Sequence, residues 1–192
     1  MNTAIKTVVA LLAVVGAAVI LGGGWFLAIG ISAKPEPSAM ETLAAHRLRA
    51  LAIPAAAVAR TNPIPDNPDV VAEGLAHFAD HCASCHANDG SGKTTMGQGL
   101  YPRAPDLRLP GTQQLSDGTL FYIIENGVRL TGMPAWGTGT PEGEAASWRL
   151  VRFIRHLPSL SEAELQRMEA LNPKSADEWR QAEEERKFLE GR

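Results

Sequence analysis

Within HFADHCASCHANDG, residues 77 to 90, stand the chain's only two cysteines, Cys82 and Cys85, three positions apart, with His86 directly after the second. Three kinds of chemistry use such a segment: a redox dithiol, half of a zinc site, or covalent attachment of a c-type haem, in which the two thiols become thioethers and the histidine ligates iron. A dithiol of the thioredoxin kind needs a strand and βαβ surroundings. Zinc needs two more ligands, for which His77 and His81 lie nearby at one-face helical spacing, but no second C-x-x-C or H-x3-H pair stands elsewhere. The haem reading needs only a distal ligand, which Met133 in TGMPAW, Met96, or His156 could supply.

The elements that must position these residues read as helices and loops. Asp69 can cap a helix running through VVAEGLAHFADHC, with Val71, Leu75 and Phe78 at helical spacing and Gly74 small enough to admit a second helix closely. After His86, NDGSGKTTMGQGLYPRAPDLRLPG is too rich in glycine and proline for a long helix and suits a loop wrapped around a flat ligand. Ser116 caps a helix over DGTLFYIIEN that Gly127 stops as a left-handed C′ residue. GVRLTGMPAWG makes a second loop. EAASWRLVRFIRHL, before Pro158, makes a last helix with Leu150, Phe153, Ile154 and Leu157 as its buried stripe. No alternating pattern of useful length appears, so the domain is expected to be all-α.

Around it lie other regions. Thr7 to Ala33 contain no charge, and as a helix that run would reach about 40 Å, beyond the roughly 30 Å hydrocarbon core. A cleaved signal has an apolar stretch of only about 7–15 residues, although Ala28-Ile29-Gly30 could be a small-x-small cleavage site. The expected organisation is a transmembrane anchor over 1–33, contacting lipid through 7–33; a proline-rich linker over 34–68; the core domain over 69–160; and a charged helical tail over 161–192. In the linker, Ser38 and Glu41 form a capping box for a short helix ending before Pro54, expected as a solvated linker helix, although its Arg47 and Arg49 beside Leu43, Leu48 and Leu51 could let it rest on headgroups. Pro63, Pro65 and Pro68 suggest a stiff spacer. In the tail, Ser161 with Glu164 and Ser175 with Glu178 are two more capping boxes. A net charge of -3 and 20% charged residues argue against a nucleic-acid partner.

CASCH at 82–86, YPRAPDL at 101–107, the helix leading into TGMPAW at 131–136, and a last helix carrying Trp148 together resemble a class I c-type cytochrome, more closely the membrane-anchored monohaem cytochromes c of bacteria. The resemblance implies the class I cytochrome c fold, one haem c held by Cys82 and Cys85, His86 as proximal iron ligand and Met133 as distal ligand. It further implies an electron carrier rather than an enzyme, on the outer side of the cytoplasmic membrane, exchanging electrons with redox protein partners. Two other functions stay open beside it: a dedicated cytochrome subunit of a dehydrogenase or reductase complex, and a haem-based sensor. Around the ligands, the carbonyl of Pro102 or Pro105 would orient His86. Arg108 or Arg129 could meet a propionate, and Trp136 or Tyr122 could pack on the ring or donate to it.

Overall fold

The computed structural model describes residues 2–174 and 176–191, which divide into two compact units, Met1–Pro35 and Glu36–Arg192. The first unit is α1 (Thr3–Ile29), uncharged after Lys6. Its stretch Thr3–Ala28, with a mean hydropathy of 2.5, is long and apolar enough to cross a membrane. Glycines 22 to 24 stay helical, and the helix ends at Gly30, whose φ of 73° an L side chain adopts rarely.

The second unit contains α2 (Ala39–Ala52), α3 (Ala55–Val58), α4 (Pro68–His77), a π-helical turn (Phe78–Cys82), α5 (Ala83–His86), α6 (Thr95–Gly99), α7 (Pro110–Gln113), α8 (Asp117–Asn126), α9 (Pro141–His156), a 3₁₀ turn (Leu157–Ser159), α10 (Glu162–Leu171) and α11 (Ala176–Leu189). No strand occurs among the described residues, so the domain is all-α as expected. The capping boxes at Ser38–Glu41 and Ser161–Glu164 are both formed. The one expected at Ser175 lies outside the described residues.

α4 crosses α9 at Gly74, where a Cβ would collide with the Arg149 carbonyl and lie 2.9 Å from the Phe153 Cβ. Below that crossing Phe78 packs on Phe153 with ring centroids 5.1 Å apart, and Phe121 stacks on Trp148 at 4.1 Å. Leu150, Phe153, Ile154 and Leu157 are all buried in this core, as their spacing predicts.

Several local expectations need correction. The cap of α4 is Asn67, which accepts the Val70 N–H at 3.0 Å, not Asp69. Pro68, lacking an N–H, fits the first helical position, so the cap moves two residues upstream and Asp69 places its charge in the first turn. Gly127 does end α8 with a positive φ of 65°, but its ψ of -170° is extended rather than left-handed helical. Met168, within the 161–192 stretch expected as a charged tail, is fully buried in the core, because α10 folds back onto the domain.

Residues 55–64 do not stand off as a spacer. Ser116 donates to the Val58 carbonyl at 2.8 Å, Gly118 packs against the carbonyls of Ala57 and Arg60, and the Arg60 guanidinium lies 4.4 Å from the Phe121 ring centre. Asn62 donates to the Trp148 carbonyl at 2.9 Å and Arg152 to the Ile64 carbonyl at 2.6 Å. Around Pro63 the backbone is not helical, and the Ile64 carbonyl left free there accepts the Arg152 guanidinium of α9.

Candidate functional site

The turn that carries Cys82 is π-helical, and it joins α4 to α5 without a break in the helical path. Cys82 and Cys85 are not bridged. Burial, with a smaller contribution from Cys85, pushes the Cys82 thiol up to about 12. A reactive redox thiol needs the opposite shift, because the thiolate is the nucleophile, so dithiol chemistry finds no support here. Among the described residues no three His, Cys, Asp or Glu side chains gather as a metal site, and a closed structural zinc site would need four ligands.

The chain reverses immediately after His86. Ala87 has φ 61°, a conformation that costs a non-glycine residue on the order of 1–3 kcal/mol and so must be imposed by its surroundings. Those surroundings are visible. Gly92 donates to the His86 carbonyl at 2.8 Å, and the Thr94 hydroxyl donates to the Cys85 carbonyl at 3.2 Å. Gly97 packs directly on that same Cys85 carbonyl, and Gly92, at φ 70°, on the Ala104 carbonyl, where a Cβ would collide. The glycines of the loop therefore let three backbone segments meet around the C-x-x-C-H turn.

His86 is half-buried, with its Nδ1 out of reach of solvent. Burial holds its imidazole below the ordinary range, opposed by the Pro105 carbonyl, yet its buried Nδ1 completes no hydrogen bond of normal geometry. A ring with one nitrogen beside a backbone acceptor and the other left for a ligand is what a metal-binding histidine requires. Two unbridged cysteines three residues apart, followed by such a histidine, fit a covalently attached haem.

Met133 is half-buried in the loop after α8. Its N–H reaches the Thr131 hydroxyl at 3.1 Å and its carbonyl accepts from Val128 at 3.0 Å. Gly127 has no side chain to keep Met133, Pro134 and Ala135 away, while Trp136 and Gly137 donate to the Ile124 and Glu125 carbonyls at 3.0 Å each. The loop is thus fastened to the C-terminal end of α8 on both sides of its methionine. Met40 and Met96 are exposed and Met168 is buried in the core.

Two contacts link the cysteine segment and its loop to the methionine loop, and sequence reasoning found neither. His81 meets the Trp136 ring edge-on at 5.4 Å, and the Leu100 side chain closes on Gly132. Their partners are far apart in sequence, so no local pattern announces them. The expected roles of other residues change. Arg108 pairs with Asp106 at 2.7 Å and with Asp89 at 3.0 Å, which commits the guanidinium that was a propionate candidate. His156, one of the candidate distal ligands, pairs with Glu164 at 2.8 Å and ties α9 to α10. Arg129 is exposed, and Tyr122 and Trp136 are half-buried.

Residues 69–154 match the family model described as cytochrome c oxidase, cbb3-type, subunit III. The cbb3-type cytochrome c oxidase subunit FixP of Rhizobium meliloti (strain 1021) is 37% identical over 82 residues, 43% of this chain and 26% of that protein. The match thus spans about a quarter of that relative's length. The matched stretch contains the whole C-x-x-C-H turn, its glycine loop and the methionine loop. With these segments folded onto one helical core, residues 69–154 form a class I c-type cytochrome domain, in a chain whose N-terminal helix is long and apolar enough to cross a membrane.

Proposed function

We propose that this chain is a membrane-tethered one-electron relay with a single haem c, which Cys82 and Cys85 would hold covalently and whose iron His86 and Met133 would ligate. The observation that carries the proposal is the half-buried His86 with its buried, unpartnered Nδ1, next to two unbridged cysteines and gripped at its carbonyl by Gly92. When bound, the group supplies reversible one-electron exchange at iron, with a potential raised by a thioether ligand. The protein's part is positional. The Pro105 carbonyl orients the His86 ring, Thr131 and Val128 hold the Met133 backbone, and Leu100 against Gly132 brings apolar cover between the loops. The backbone contacts that fasten the two loops would hold His86 and Met133 in place with little movement of either loop.

The comparisons favour a second reading within the same chemistry, in which the relay serves one membrane oxidase as a resident subunit. FixP is named as such a subunit, and the matching family bears the name of a subunit of that oxidase type. We assign the chain to the cytoplasmic membrane, with the haem domain outside the cytoplasm, since thioether attachment in such families takes place there. A denaturing gel tests the site: the chain should keep its haem stain, and Cys82→Ala with Cys85→Ala should lose it. Stoichiometric zinc without haem would reject the assignment. Native isolation from membranes then separates the two readings, a co-purifying oxidase supporting the subunit and a lone redox-active chain the shuttle.

A further inference from the structure

α2 has no role in the site described above, yet it carries a conspicuous surface. Met40, Leu43, Leu48 and Leu51, at i, i+3, i+8 and i+11, fall on one face, and all are more than half exposed, with Arg47 among them. The opposite side looks inward, where Arg49 is half-buried and Ile53 closes the helix in a buried position. Four large apolar side chains on one helical turn after another is more exposed oil than a solvated linker needs.

The occupant of that face follows from chain length and charge. Only residues 30–38 separate α1 from α2, a span of about 35 Å at full extension, so α2 cannot leave the neighbourhood of a bilayer that holds α1. The acids at this end are turned to other uses. Glu36 pairs with Arg103 at 2.7 Å, and Glu41 closes the cap at Ser38 and accepts the Tyr101 hydroxyl at 3.1 Å. Arg47 is therefore the charge displayed within the apolar face, and its long stem can lie in the acyl boundary while its guanidinium meets a phosphate.

We infer that α2 is a second membrane contact, an interfacial helix with Met40, Leu43, Leu48 and Leu51 in lipid and Arg47 on anionic headgroups. The inference rests on the reading that α1 is embedded. It adds an orientation: through Glu41–Tyr101 and Glu36–Arg103, α2 turns the 101–105 side of the domain, which ends in the Pro105 beside His86, toward the bilayer. A tether alone would let the domain tumble, whereas a docked α2 presents one side of it to partners in the membrane.

The full chain in nanodiscs of phosphatidylcholine with phosphatidylglycerol, carrying a diazirine amino acid in place of Leu12, Leu48 or Leu130 in turn, tests this. After illumination, intact mass should show phospholipid adducts at positions 12 and 48, and several-fold fewer at the exposed position 130. Leu43→Glu with Arg47→Glu should reduce the adduct at 48 several-fold without altering that at 12. Adducts at 12 but not at 48, equal yields at 48 and 130, or a protein adduct at 48 overturn the interfacial helix alone. No adduct at 12 overturns the embedded α1 beneath it.

Discussion

Met133 is the residue at which the proposed ligation can be read most directly. With its sulfur on the iron, the oxidised protein should show the weak far-red sulfur-to-iron band. Met133→His should remove the band and lower the potential by supplying a stronger donor to ferric iron. Met96→Leu, at an exposed position, should change neither. Met133→Ala should open the iron to carbon monoxide, and tight carbon monoxide binding by the parent protein would instead favour a sensor. A second prediction concerns Arg108. It is the largest cause holding the Asp106 carboxyl below its ordinary range, and it assists at Asp89, where burial pushes upward but bonds from Ser91 outweigh it. Carboxyls depressed in the folded state stabilise it above their unfolded value, near 4, and that contribution drains away as pH falls through the folded values. The stability lost in Arg108→Gln should therefore be largest at neutral pH and shrink on acidification below about pH 4. Urea unfolding at several pH values would show it, and a loss that stays constant would refute it.

At the scale of elements, the α4–α9 crossing is the most sensitive join. Gly74→Val would drive a side chain into the backbone of Arg149 and should cost about 1–3 kcal/mol or more by overpacking. Gly111→Ala, which meets open space, should be nearly neutral in the same denaturation measurement. Removing the α8 cap with Ser116→Ala should cost about 1 kcal/mol, and the bond to Val58 is lost with it. Gly74 shows what a sequence can disclose: a small residue amid the apolar stripe of a periodic helix marks a close neighbour before that neighbour is known. The stripe of α9, the caps at Ser38, Ser116 and Ser161, and the C-x-x-C-H turn were legible for the same reason, since each depends on residues within a few positions. What stayed hidden depends on distant partners. Asn62 and Ile64 look like linker residues until Trp148 and Arg152 reach them, Met168 looks like part of a polar tail until α10 folds back, and Arg108 looks available until Asp89 arrives beside it. The choice of Asn67 over Asp69 as cap turned on a proline lying between two equally good capping residues.

For the whole molecule, the decisive question is whether α1 remains on the chain. A secretory signal needs an apolar stretch of only about 7–15 residues, whereas α1 runs unbroken from Thr3 to Ile29. Twenty-seven helical residues reach about 40 Å, enough to cross the hydrocarbon core with some tilt. The physical reason to retain such a helix is local concentration: a relay held at the membrane meets its partners by lateral motion and small rotations, without being diluted into the surrounding volume. The protein isolated from membranes should accordingly have the mass of the uncleaved polypeptide plus one haem. It should resist extraction by high salt and enter solution only with detergent. A polypeptide beginning near residue 31 and washed off by salt would show that α1 is a removed leader. The relay would then be a freely diffusing one, and its encounters with partners would depend on bulk concentration and ionic strength.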